Sequence, residues 1–254
     1  MKVKILLISI IILSDLVISC HQDEEELPNP FTDKRDGHQY QWVKIGDQIW
    51  MAENLAYLPF FIQYRPGSDL DLRCFVYGYE GNEFSEAKAS PNFKTYGVLY
   101  NWPAAMNGEN SSSKSPSGVQ GICPEGWHLP SDAEWVILED YLIHVGYDMG
   151  NSSGKNIVKS LALKEGWLES SRYGAAGSTD HPQIRNITGF SAKPGGFCDN
   201  LGHFEQAGMT GCWWSATVYG GTEAWCRHIY YNNSYINRFS NKRGNSFSVR
   251  CIKD

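Results

Sequence analysis

The sequence predicts a single domain of the α+β class, and three features support this prediction. The last third alternates apolar and polar residues between turn signals, a pattern typical of β-strands. A second β pattern, that of a tight hairpin, surrounds Gly46-Asp47 near the start of the domain. Between these parts lies a helical pattern that begins at Ser131. We expect the domain to cover residues 37–254, a length compatible with one core.

The main predicted helix follows the segment from Cys123 to Pro130, in which two prolines favour extended backbone. Ser131 and Glu134 have the spacing of a capping box, a feature worth about 1 kcal/mol. Apolar residues then recur at spacings of three and four, which predicts one buried stripe: Trp135, Leu138, Leu142 and Val145. We interpret Trp127 and His128 as a buried ring and a hydrogen-bonded imidazole, because an isolated histidine is weak evidence for a site.

The remaining elements are predicted from local patterns. A second helix is expected from Asn156 to Lys164, with Gly166 beyond its end. Loops are expected from Pro59 to Asp71 and from Glu169 to Ile187, and the second is long enough to suggest a function or an insertion. Shorter elements are a strand at residues 74–77 and a helix that starts near Pro103. The last third predicts a meander of four strands at residues 211–218, 224–231, 235–239 and 246–252.

The N-terminus has the pattern of a lipoprotein signal peptide over residues 1–19. Two lysines precede an apolar run that extends from Ile5 to Ile18, too short for the roughly 20 residues of a membrane-spanning helix. The run ends in Val17-Ile18-Ser19-Cys20, which resembles the lipobox of bacterial lipoproteins. This resemblance implies that Cys20 becomes the lipidated N-terminal residue, and that acyl chains attach the protein to a membrane.

Residues 20–36 are predicted to form a tether, because their acidic and proline-containing sequence is unsuited to a core. The acidic run Asp23-Glu-Glu-Glu26 resembles the surface-export signal of Bacteroidota lipoproteins. We therefore expect an outer-membrane protein exposed at the cell surface; the alternative is a domain that faces the periplasm. The whole chain carries a net charge of −6. That charge argues against a nucleic-acid partner, since no basic stripe is available to bind phosphates.

Six cysteines besides Cys20 are expected to form disulfides in an oxidising compartment. The preferred pair is Cys123 with Cys251, which would join the entry to the helix to the last strand. A weaker prediction pairs Cys212 with Cys226 across a hairpin. Metal binding by the cysteines and histidines of the last third is disfavoured, because short-range ligand pairs such as Cys-x-x-Cys are missing from the sequence. We expect neither a metal nor another cofactor.

Several motifs, in order along the chain, resemble the Fibrobacter succinogenes major paralogous domain (FISUMP) family of Bacteroidota and Fibrobacterota lipoproteins. The segment from Leu129 to Trp135 also resembles the helix start of formylglycine-generating enzymes, within the C-type-lectin-like superfold. This second resemblance implies two main helices packed on a twisted antiparallel sheet with long irregular loops. It implies no calcium ligands and no catalytic residues. The family motifs are residues 36–37, 42–55, 96–102, 123–135, 188–192, 195–196, 213–217, 244 and 248–251.

The favoured function is a non-catalytic binding or adhesion module on the cell surface, with a glycan or a protein as its ligand. The aromatic residues of the last third motivate this hypothesis, and Trp214, Tyr231 and Tyr235 are the candidate ligand-binding residues. A structural subunit of a surface assembly is the alternative. An enzyme is the least favoured class, because the common hydrolase and phosphate-loop motifs are missing from the sequence.

Overall fold

The computed structural model describes residues 29–59, 71–149 and 155–254. The predicted signal peptide, Cys20, the first part of the tether and most of the predicted loop at 59–71 lie outside these ranges. Within them, no helix has the length and apolar character needed to cross a membrane.

Fourteen strands and five helices form the described part of the chain. The helices are α1 (Phe84–Ala89), α2 (Pro91–Tyr96), α3 (Trp102–Met106), α4 (Asp132–His144) and α5 (Val158–Leu161). The strands are β1 (Phe31–Thr32), β2 (Gln39–Tyr40), β3 (Trp42–Ile45), β4 (Gln48–Met51), β5 (Cys74–Phe75), β6 (Leu99–Asn101), β7 (Trp127–His128), β8 (Phe197–Cys198), β9 (Phe204–Glu205), β10 (Thr210–Tyr219), β11 (Glu223–Tyr230), β12 (Asn237–Lys242), β13 (Ser246–Ser248) and β14 (Ile252–Lys253). This mixture confirms the predicted α+β class.

The strands form a large sheet, a smaller one and a short pair. The large sheet has the order β12-β11-β10-β13-β6-β5, and β8 and β9 attach to it through β13. The smaller sheet has the order β3-β4-β14-β7, so the last strand of the chain lies between elements from its first half. The pairings are antiparallel except that of β10 with β13. The predicted hairpin is confirmed: β3 and β4 pair across Gly46 and Asp47.

Two hydrophobic cores lie on opposite sides of β10, and the period of the strand explains this arrangement. Successive side chains of a strand point to opposite faces. Trp213 therefore packs into one core with Trp50 and Trp135, while Trp214 packs into the other core with Phe247. The first eight residues of β10 are all buried, as expected for a strand covered on both faces.

The main helix begins and packs as predicted. The Ser131 hydroxyl accepts a hydrogen bond from the Glu134 N–H at 3.2 Å, and the Glu134 carboxylate accepts one from the Ser131 N–H at 2.9 Å. The inner stripe of α4 is buried, except that Val145 lies beyond the last turn and is exposed.

Three predictions about element boundaries are wrong. The fourth strand of the meander does not follow β12, because β13 pairs on the far side of β10. The second helix is only the four-residue α5, since the chain at Ala162 becomes extended and forms a bridge with Ala192. The tether ends before Phe31, which is buried and stacks on Trp127 with ring centroids 4.5 Å apart. The domain therefore includes residues predicted to be linker, and α4 is its one long helix among the described residues.

Candidate functional site

Trp214 was predicted to bind a ligand, and the structure contradicts this prediction. Its side chain has no exposed surface, because β10 is covered on both faces. The indole N–H donates to the carbonyl of Tyr100 at 2.8 Å, and the ring packs on Phe247. A side chain enclosed in this way cannot stack on a ligand from solvent. Trp214 is a core residue.

The other two predicted ligand-binding residues lie near the surface. Tyr235 is 42% exposed. Tyr231 is half-buried and packs against the core that contains Trp213. The backbone carbonyl of Tyr231 accepts a hydrogen bond from the Gly177 N–H at 2.7 Å, so this residue supports the loop at 163–187. The structure does not bring the three predicted aromatic side chains together at one surface.

A cavity of about 660 Å³ lies in this loop region. We call it the loop cavity. The chain from Leu163 to Glu169 forms part of its wall, and the chain from Gly177 to Asn186 forms the rest. The lining combines charged, amide and hydroxyl side chains with one indole, and its residues are Leu163, Lys164, Glu165, Trp167, Glu169, Gly177, Ser178, Thr179, Pro182, Arg185 and Asn186.

The two parts of the wall approach each other closely at Gly177. Its carbonyl accepts a hydrogen bond from the Ser170 N–H at 3.1 Å. A Cβ atom at Gly177 would lie 1.9 Å from the Leu168 carbonyl oxygen, a distance that no side chain can accept without movement of the backbone. Glycine is therefore required here by close approach of the backbone.

Two cationic side chains, Lys159 and Arg185, stabilise the wall by donating hydrogen bonds to its backbone carbonyls. Lys159 of α5 is fully buried, and its ammonium donates to the Ser178 carbonyl at 2.8 Å and pairs with the Asp180 carboxylate at 2.8 Å. Arg185 donates to the carbonyls of Leu163 at 3.2 Å and Ala176 at 2.8 Å, and also to that of Ser178. One guanidinium thus joins both parts of the wall.

The electrostatics of this group follow from burial and from close partners. Burial would raise the pKa of Asp180, but the bonds from Lys159, from the Gly174 N–H and from the Ser178 side chain lower that pKa to about 2. The pKa of Lys159 is lowered by burial and by the charge of Arg185, although Asp180 opposes this change. Burial also lowers the pKa of Arg185. Lys159, Arg185 and Asp180 therefore form a charged cluster of two cations and one carboxylate that supports the wall.

Trp167 forms the aromatic part of the lining, and 9% of its surface is exposed. Its buried indole N–H has no acceptor among the described residues. A buried tryptophan N–H ordinarily finds a partner. Two exposed apolar side chains lie beside the lining in sequence: Leu168 follows Trp167, and Ile187 follows Asn186.

His128 forms a second cluster of polar groups, and the structure confirms its predicted structural role. Both ring nitrogens contact carboxylates: Nδ1 lies 2.7 Å from Asp254 and Nε2 lies 2.8 Å from Glu134. Burial lowers the pKa of His128, but the two carboxylates outweigh this effect and the pKa is raised. Neither nitrogen is left to take a proton from a substrate. The cluster ties the C-terminus to the start of α4.

The six cysteines in the described ranges divide into one bridge and four thiols. Cys123 and Cys251 form the preferred disulfide, with an S–S distance of 2.01 Å. The predicted bridge between Cys212 and Cys226 is wrong: both are free thiols, because Cys212 faces His228 and Cys226 faces Trp214. Cys74 and Cys198 are also free and buried. Across the described ranges, no group of three or more His, Cys, Asp or Glu side chains is placed to hold a metal ion.

Sequence reasoning identified the region of the loop cavity but not its key residues. The length of the irregular stretch was the signal. Lys159 and Arg185 were missed, because long cationic side chains are mostly exposed and nothing local predicts that both bind the same carbonyl.

Comparison with known proteins agrees with the motif pattern. No curated protein and no solved structure matches the chain. The model of the Fibrobacter succinogenes major domain matches residues 43–253, which is most of the chain, and the protein therefore belongs to the Fibrobacter succinogenes major domain family.

Proposed function

We propose that this protein is a lipid-anchored, non-catalytic binding module of the outer-membrane surface, and that it binds a saccharide in the loop cavity. The cavity is the observation that carries this proposal. Its volume of about 660 Å³ lies within the range of roughly 300–1,000 Å³ that is usual for small-molecule sites.

The chemistry of the wall suits a saccharide. The Thr179 hydroxyl can exchange hydrogen bonds with sugar hydroxyls, and the Asn186 amide, which already bonds Ser191 through both its oxygen and its nitrogen, keeps one N–H for a ligand. The exposed edge of the Trp167 indole offers a small apolar surface to a ligand. A few polar groups placed around an aromatic surface are what a specific small-molecule site requires.

The lining residues favour binding over catalysis. They include no histidine and no cysteine, so a side-chain nucleophile activated by histidine is missing from this wall. Its carboxylates, Glu165 and Glu169, are exposed, and neither occupies the apolar surroundings that prepare a carboxylic acid for proton transfer. The described lining therefore supports recognition.

The location and the finer fold assignment belong to the same proposal. The lipobox-like segment at Cys20 and the acidic run after it support attachment to the outer membrane with the domain at the cell surface. The capped helix α4 packed on antiparallel strands supports the resemblance to the C-type-lectin-like superfold. Fold alone does not define function, so the saccharide proposal depends on the cavity.

A glycan array probed with the full chain in detergent tests the proposal. We expect binding to a subset of saccharides by the wild-type protein. Thr179→Trp places a bulky side chain in the cavity wall and should abolish binding. Thr222→Trp is the matched control, since Thr222 is exposed in the turn between β10 and β11 and is not part of the cavity lining. It should bind as the wild type does.

Two outcomes would contradict the proposal. One is a wild-type protein that binds no saccharide, and the other is binding that survives Thr179→Trp. If the purified protein instead brings down stoichiometric outer-membrane partners and binds no saccharide, the structural-subunit alternative replaces it.

A further inference from the structure

Three charged side chains support the cavity wall, namely Lys159, Arg185 and Asp180, and together they carry one net positive charge. Lys164, Glu165 and Glu169 of the lining bring the total to zero, so the ligand class follows from the contacts of individual charges and not from the net charge. Lys159 and Arg185 contribute two positive charges, and Asp180 contributes one negative charge within ion-pair distance of Lys159. Both cations donate to the same oxygen, the Ser178 carbonyl. Lys159 is paired with Asp180, so Arg185 is the cation of this group that no carboxylate contacts directly, and a negative group in the cavity could bond to it.

Arg185 also retains hydrogen-bonding capacity. A guanidinium has five N–H donors. Three serve the carbonyls of Leu163, Ala176 and Ser178, and the other two have no acceptor among the described residues. Asp180 and Glu165 act on Arg185 through space only. Two free donors on one guanidinium match the two oxygens of a carboxylate.

Glu165 and Glu169 also line the cavity, and their charges oppose an anion. Both side chains are exposed, so solvent and salt screen their repulsion. Arg185 is half-buried, and its charge is screened less. A direct bond to Arg185 is therefore the contact that would favour an anion in this cavity.

From these observations, and resting on the proposed function, we propose that the loop cavity selects saccharides that carry a carboxylate, such as uronic or sialic acids, and that Arg185 binds that carboxylate. The hydroxyl, amide and indole groups of the wall contact the sugar ring. Arg185 thereby determines specificity.

The test measures how tightly the full chain, kept in detergent, binds pairs of ligands that differ only in the carboxylate. Calorimetry measures affinity for acidic oligosaccharides of the uronic and sialic series and for the same oligosaccharides with the carboxylate reduced to an alcohol. We expect the acidic member of a pair to bind about tenfold more tightly or better, the effect of a charge-assisted hydrogen bond. The advantage should shrink as salt is added.

A conservative variant tests the role of the guanidinium. Arg185→Lys keeps the charge but loses the two-pronged donor, so it should reduce the preference for the acidic ligand. Arg172→Lys is the matched control, because Arg172 lies exposed in the same loop and outside the cavity lining. Thermal unfolding establishes that both variants fold. If Arg185→Lys does not fold, the affinities of the wild-type protein for the acidic and the reduced ligands still test the proposal.

The possible results separate the two proposals. Equal affinity for acidic and reduced ligands, with binding still abolished by Thr179→Trp, would overturn the carboxylate inference and leave the saccharide site intact. Binding of no saccharide would overturn both. An acidic peptide that binds in the cavity where acidic saccharides do not would also refute the inference.

Discussion

Removal of the Cys123–Cys251 disulfide should lower the free energy of unfolding by about 5 kcal/mol. The two cysteines are 128 residues apart in sequence, so the bridge closes a loop that spans half of the chain. In the chain-entropy description, closing a loop of this length lowers the entropy of the unfolded chain, which stabilises the folded state by about 5 kcal/mol. Domains are typically stable by roughly 5–15 kcal/mol, so a large part of the stability depends on this bond.

Urea unfolding, followed by tryptophan fluorescence, measures this effect. The double variant Cys123→Ala/Cys251→Ala removes the bridge without placing a hydroxyl in the core, where both residues are fully buried. Wild-type protein with dithiothreitol loses the same bond while its side chains remain. The two samples should unfold at similar urea concentrations, both well below the oxidised wild type.

The double variant also provides its own control. Its remaining cysteines in the described ranges are free thiols, so dithiothreitol should not change its stability. A fall in its stability on reduction would reveal a second disulfide and refute the assignment of those thiols. A difference of less than about 1 kcal/mol between oxidised wild type and double variant would refute the loop-closure argument.

Four further changes have defined outcomes. Cys20→Ala should abolish lipid labelling and release the protein from the membrane fraction. Trp214→Ala should lower the free energy of unfolding by about 3–5 kcal/mol in urea, because it empties a fully buried site. Gly177→Ala, whose Cβ would lie 1.9 Å from a carbonyl oxygen, should abolish saccharide binding by calorimetry, while Gly221→Ala, with nothing within 4 Å, should not. Burial lowers the pKa of His228 to about 4, so the folded state binds its proton less readily than the unfolded state does. The free energy of unfolding should therefore be highest above about pH 6.5 and should fall by about 3 kcal/mol as the pH drops toward 4. In urea titrations at several pH values, His228→Asn should lack this fall.

Local features of the fold could be predicted from the sequence because neighbouring residues determine them. The capping box of Ser131 and Glu134 and the hairpin at Gly46 depend on spacings of a few residues. Which strands pair with each other depends instead on residues that are far apart in the sequence. Alternation predicts that residues 246–252 are extended, but it does not specify that β13 pairs with β10 instead of β12.

The candidate site was harder to predict for the same reason. The length of the loop indicated where to look, whereas the aromatic residues of the last third indicated the wrong side chains. Trp213 and Trp214 are both buried because cores cover both faces of β10. From sequence alone, a strand with one solvated face and a strand with none are distinguished only by the polarity of alternate residues. The run Cys212-Trp-Trp-Ser-Ala216 lacks a charged residue, and this was the available signal that the strand is fully buried.

The disulfide and the loop cavity lie in different parts of the molecule. The proposed saccharide binding and its carboxylate preference should therefore not depend on the disulfide. The bridge joins the entry of α4 to the chain just before β14. The loop cavity is held by Lys159 and Arg185 through carbonyls of its own wall. Reduction of the bridge should therefore lower the unfolding midpoint without changing the affinity of the folded protein. Arg185→Lys should change ligand preference while the bridge remains intact. If reduction at a temperature well below the unfolding midpoint weakened binding, the cavity wall would depend on the bridge, and the separation argued from these contacts would be wrong.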